Sequence, residues 1–152
     1  MFGKLNYLAP IYSIANKDNL MKLHKIIMTA ARVAIGDYCF KKSNDYILNK
    51  CKWYDIDKLI LISSLNTIHK VITNDTPPSM TKYFKSRERL RKGNTIATNI
   101  IPLSVKFQNF YIYKYTKIYN KIDNSVRLKN PKGFKNEIKL MVSAGTISDS
   151  MD

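Results

Sequence analysis

Apolar positions recur at helical steps along much of this chain, most densely just after residue 55. Ile56, Leu59, Ile60, Ser63, Ile68, Val71 and Ile72 follow three- and four-residue spacing, and Leu61, Ile62 and Leu65 widen the stripe. So broad a stripe predicts a helix buried on most sides. Asp55 suits its N-cap, and Asp57 falls in the first turn, where the helix dipole favours negative charge. Asn74 suits the position after its end, and Pro77-Pro78 prevents continuation. His69 and Lys70 fall near that end, where a cation caps the negative pole. Trp53, the only tryptophan, precedes the helix as an anchor.

Upstream, residues 16–35 predict an amphipathic helix with Leu20, Leu23, Ile27, Ala30, Ala31 and Ala34 on its stripe. Asn16 or Asp18 can cap it, and Gly36 ends it in the left-handed conformation. Lys17, Lys22, Lys25 and Arg32 lie mostly off the stripe, and His24 borders it as a surface or core-edge residue. Residues 4–14 read as a short helix interrupted at Pro10. Residues 43–50 read as another, capped by Ser43, with Ile47 and Leu48 facing inward.

Downstream of Pro78 the pattern gives a short helix and then a basic arm. Lys85, Arg87, Arg89, Arg91 and Lys92 are opposed there only by Glu88. Gly93-Asn94 is a turn signal, Thr, Ile and Val dominate the residues that follow, and Pro102 restricts any strand to an edge. Residues 107–122 fit two periods: alternation from Phe110 to Tyr115 suits a strand, whereas length favours a helix with Phe107, Phe110, Tyr111, Ile118 and Ile122 on one side. A loop over residues 123–129 leads to Pro131, a good first helical residue. Phe134, Ile138, Met141 and Val142 then form a last stripe that closes at Gly145. The expected fold is mostly α: a small helical bundle of five to six helices with an extended basic arm in the middle. One domain covers residues 1–145, the arm covers 85–106, and 146–152 form a frayed tail.

Composition adds a partner class. The 152 residues are 45% hydrophobic, enough for a core, but 26 Lys and Arg face 11 Asp and Glu, a net charge of +15. Such a surplus draws anionic partners, nucleic acid first and anionic lipid headgroups second. The alternative is a Lys-rich solvated surface. Two cysteines, Cys39 and Cys51, make neither a disulfide framework nor a CxxC motif, and fit reduced, partly buried thiols in an intracellular protein, cytoplasmic or nuclear. No apolar run reaches the ~18 residues of a transmembrane segment. The first residues do not make a convincing signal peptide.

The chemistry-bearing residues are mostly cationic. There is no glycine-rich phosphate loop, no His/Cys metal spacing and no nucleophile with an evident base, so no cofactor is expected and the chain reads as non-catalytic. Asp55 and Asp57 are better explained as a cap and a first-turn residue than as two-metal ligands. If extended, Arg87, Arg89 and Arg91 face one side, a row suited to successive phosphates. Lys114, Lys117 and Lys121 interleave with Tyr113, Tyr115 and Tyr119, a pattern suited to phosphates and stacked bases unless those rings simply pack the core. Arg127, Lys129, Lys132 and Lys135 form a further basic group. The candidate nucleic-acid-binding residues are therefore Lys85, Arg87, Arg89, Arg91, Lys92, Lys114, Lys117, Lys121 and Arg127. Such contacts position a nucleic acid and carry little sequence information.

In order along the chain, several short features resemble the post-palm, thumb-containing segment of non-LTR (LINE-type, jockey-like) retrotransposon reverse transcriptases. These are Asn6-Tyr7; Leu20 and Leu23 followed by Ala30-Ala31-Arg32; Lys52-Trp53-Tyr54; His69-Lys70 before Asn74 and Pro77; Arg87 and Arg91; Tyr119-Asn120; and Phe134-Lys135. The family's Gly before Trp is missing at Lys52, and its Leu-Pro appears as Ile122-Asp123. The resemblance covers about residues 5–142. It implies a thumb-like module that holds an RNA–DNA hybrid or other duplex beside a polymerase palm, since the catalytic aspartate motif of an RNA-directed DNA polymerase does not occur here. On this resemblance the chain reads as a fragment of a longer polymerase or a remnant of one; the alternative is a decayed or repurposed copy, a protein-interaction or structural remnant with no retained nucleic-acid role.

Overall fold

The computed structural model describes residues 11–39, 41–73, 84–87, 95–98 and 111–147. Within them the elements are α1 (Lys17–Ile35), α2 (Asn44–Cys51), α3 (Ile56–Ile72), β1 (Phe84–Arg87), β2 (Thr95–Thr98), α4 (Tyr111–Lys121), α5 (Asn124–Arg127) and α6 (Pro131–Ser143). The protein is mostly α, a small helical bundle.

Local chemistry explains most of the helix ends. Gly36 adopts φ 74° after α1, and its N–H reaches the Val33 carbonyl. Asn16 occupies the N-cap of α1 without a side-chain bond. The Ser43 hydroxyl accepts from the Tyr46 N–H at the start of α2. The Asp55 carboxylate accepts from the Ile56 N–H at 2.6 Å at the start of α3. Asn130 accepts from the Gly133 N–H at 2.7 Å, and Pro131 opens α6.

Helix α3 is the centre of the bundle. It packs against α4 on one side and α6 on another, while α1 lies on α2 and touches α3. Ile56, Leu59, Ile60, Leu61, Ile62, Leu65 and Ile68 of α3 join Ile118, Ile122, Phe134, Ile138 and Val142 in the main core, with Ile27 from α1. A smaller cluster of Met28, Ala31, Ile47 and Leu48 fills the α1–α2 interface. Trp53 packs against both clusters, so the link between α2 and α3 ties them together.

The structure corrects several sequence expectations. Ala34 is exposed, and Met28 takes the buried place on α1, because α2 covers a flank of that helix as α3 covers another. Ser63 is half-buried, whereas Ser64 is fully buried. The arm is not simply extended: β1 and β2 pair antiparallel, with Phe84 opposite Thr98 and Arg87 opposite Thr95. The loop at 123–129 contains the single helical turn α5. At the start of the expected tail, the Thr146 N–H donates to the Met141 carbonyl and Ile147 packs on the core. For residues 107–122, α4 settles the choice of helix over residues 111–121. The expectations for residues 4–10, 79–83, 99–106, 107–110 and 148–152, and for Asn74 and Pro77-Pro78, lie outside the described residues.

Candidate nucleic-acid interface

Helix α4 divides its residues sharply. Ile112, Tyr115, Thr116, Ile118 and Tyr119 are buried, Ile122 just beyond is buried as well, and no acidic residue occurs in the helix. Its other side carries Lys114, Lys117 and Lys121 at steps of three and four residues, hence one stripe. Lys117 and Lys121 are exposed, and Lys114 is half-buried. At ~1.5 Å rise per residue the stripe is roughly 10 Å long. One strand of duplex DNA presents a phosphate about every 3.4 Å, so roughly three phosphates match that length.

Aromatic rings hold two of these cations. The Lys117 ammonium lies 4.6 Å from the centroid of the half-buried Tyr113 ring, and that of Lys114 lies 5.4 Å from the Tyr115 ring. Each such contact adds about 0.5–1 kcal/mol of orientation at an exposed site. Tyr115 and Tyr119 are 1% exposed. Stacking on bases is therefore excluded for these two, and their rings serve the core instead. Strand β2 lies against α4, and β1, which contains Lys85 and Arg87, pairs with β2. Arg89, Arg91 and Lys92 lie outside the described residues.

Arg127 ends α5 half-buried, with its guanidinium 5.9 Å from the Tyr119 ring centroid and a bond to the Asn124 side-chain oxygen. Of the remaining basic group, Lys129 pairs with Glu137 at 2.6 Å, whereas Lys132 and Lys135 are exposed.

Two polar centres escaped sequence reasoning. His69 was expected to act as a charged cap, but it is fully buried. Its Nε2 lies 3.0 Å from the Lys129 carbonyl, its Nδ1 2.9 Å from the Tyr119 hydroxyl, and its ring stacks on Phe134 at 4.0 Å. Burial pushes the imidazole below the usual histidine range, and the bond to the Lys129 carbonyl opposes this only in part. Burial pushes the Tyr119 phenol up to about 12, against the pull of Arg127. Arg32, expected off the apolar stripe, is 9% exposed. It donates to Asp37 at 2.6 Å, to the Lys42 carbonyl at 3.1 Å and to the Asn44 side chain at 2.9 Å, closing the α1–α2 loop. Spacing held a signal for both: His69 follows Leu65 by four residues, and Arg32 follows Met28 by four.

His24, at the core edge as expected, lies 2.7 Å from Asp55 and so ties α1 to the α3 cap. Cys39 is exposed and Cys51 is half-buried, both free. A cleft of about 460 Å³ opens beside the α2–α3 link, lined by residues that include Asp45, Trp53, Tyr54 and Lys58. Among the described residues no three His, Cys, Asp or Glu side chains form a metal-binding group, and no helix is long and apolar enough to cross a membrane. Comparison with protein-family models, with curated proteins and with solved structures finds no match for this chain.

Proposed function

We propose that this protein is a non-catalytic nucleic-acid-binding module that grips the phosphate backbone of an RNA–DNA hybrid or duplex. Lys114, Lys117 and Lys121 form the centre of the contact, and the hairpin with Lys85 and Arg87 extends it. The observation that carries the reading is the acid-free lysine stripe on the face of α4 opposite its buried side. The net charge of +15 supports it through long-range attraction. The resemblance to a reverse transcriptase thumb gives the finer form of the proposal, a template–primer-holding role beside a polymerase palm.

A second reading has its own observation. Ile26 and Val33 of α1, seven residues apart, are 51% and 55% exposed. An apolar stripe of that kind suits docking on another protein, in keeping with an interaction remnant.

The test is fluorescence anisotropy with a labelled RNA–DNA hybrid at several salt concentrations. Lys114, Lys117 and Lys121 are changed together to Ala, and the control triple changes the exposed Lys17, Lys22 and Lys25 of α1. Each lost phosphate contact should flatten the log–log salt slope by roughly 0.9 for B-form duplex. The α4 triple is expected to flatten it by about three contacts' worth and the control by less than one. Equal effects would reduce the binding to net charge, and no binding at low salt would leave the docking reading.

A further inference from the structure

The buried contacts of His69 converge on the stretch of chain that carries Arg127. Its ring sits in α3, accepts from Tyr119 of α4, stacks on Phe134 of α6, and reaches the backbone just after α5. A carbonyl oxygen can only accept, so Nε2 carries the proton and donates to Lys129. In the neutral ring Nδ1 is then an acceptor, and the Tyr119 hydroxyl donates to it. Every polar atom of the neutral imidazole is satisfied.

We propose that His69 is the positioning residue for the Arg127 corner, residues 124–129, and that it holds this corner only while its ring is neutral. A second proton would sit on Nδ1 and face the phenol. The Tyr119 hydroxyl would have to turn and accept, and its own proton would lose its present acceptor in a buried site. The new charge would also be buried among apolar groups. The charged and titratable groups around the ring do not welcome it. Tyr119 stays protonated to about pH 12, and Arg127 over the same phenol ring adds positive charge. Lys70 follows His69 on α3, while on the α6 side Glu137 is engaged by Lys129 at 2.6 Å.

The sign follows from linkage. The held ring binds a proton less readily than a released ring at the ordinary value of 6.5. The hold is therefore complete above pH 6.5 and weakens as pH falls towards the lower value of the held ring. Between the two values the opening equilibrium of the corner rises about tenfold per pH unit. The consequence for ligand grip rests on the nucleic-acid reading above; the hold itself does not.

Amide hydrogen exchange of the whole chain, corrected for intrinsic rates, tests the proposal between pH 7.5 and 5. Two amides report the corner: the Leu128 N–H bonded to Asn124 and the Lys129 N–H bonded to Val126. In the wild type both should lose protection about tenfold per pH unit below 6.5. In His69→Gln, which offers a donor and an acceptor but does not titrate, their protection should be flat. The ring resonances of His69, told from His24 by a His24→Gln variant, should titrate below 6.5, at the lower end of that interval, where the loss of protection levels off. Corner protection that is flat in the wild type below pH 6.5, or a ring that titrates at or above 6.5, would overturn the proposal even if His69→Gln fails to fold. Hybrid-binding anisotropy in the same pH series separates the two readings. Loss of protection without any hybrid binding keeps the positioning role and removes the nucleic-acid function.

Discussion

Removing one hydroxyl from the core measures the polar network directly. Tyr119→Phe keeps the ring, which is tilted against Phe134 at 5.6 Å, and deletes only the O–H that reaches Nδ1 of His69 at 2.9 Å. The bond is neutral, so its own net contribution is about 1 kcal/mol. The larger effect is on the partner: Nδ1 stays buried in a residue with no exposed surface. Leaving such an acceptor unsatisfied raises the cost to about 1–3 kcal/mol. Urea unfolding at pH 7.5, followed by Trp53 fluorescence, reads this, because Trp53 packs on both core clusters and loses its surroundings on unfolding. With a slope of about 2 kcal/mol per molar urea, the midpoint should fall by roughly 0.5–1.5 M. Tyr38→Phe is the control, since Tyr38 is 71% exposed and its hydroxyl should contribute within about 0.5 kcal/mol. A Tyr119→Phe midpoint indistinguishable from that control would refute the view that His69 depends on a phenol donor.

Two further outcomes follow from the packing. Arg32→Ala leaves the Asp37 carboxylate, 11% exposed, without its guanidinium, and should destabilise by about 3 kcal/mol; a loss below 1 kcal/mol in urea titration would show that the Lys41 and Lys42 amides bonded to Asp37 suffice. Trp53→Ala separates the two clusters and should cost about 3 kcal/mol, the lower end for large aromatics because the side chain is half-buried; a thermal midpoint within a degree of wild type would contradict its bridging role.

Much of the secondary structure was legible because its causes are local. Ser43, Asp55 and Pro131 start helices where expected, and Gly36 ends one, since each acts on backbone groups within a few residues. The width of the α3 stripe foretold its central place. The burial of Tyr115 and Tyr119 was not legible, because a tyrosine between lysines reads alike whether it faces solvent or core. Nor was the pairing of β1 with β2: short Thr- and Ser-containing stretches acquire a strand identity from a partner.

By itself the sequence determined the positive charge, the helical class and the stripe of Lys114, Lys117 and Lys121, all properties of residue type and of spacing within one segment. Only the tertiary structure decided which polar residues are paid attention by the core. His69 meets Tyr119 across 50 positions and Lys129 across 60, and Arg32 is buried because α2 folds back over α1. The physical reason is that a periodicity records which side of a helix is apolar, whereas desolvation and hydrogen-bond partners come from whatever other segment is packed there.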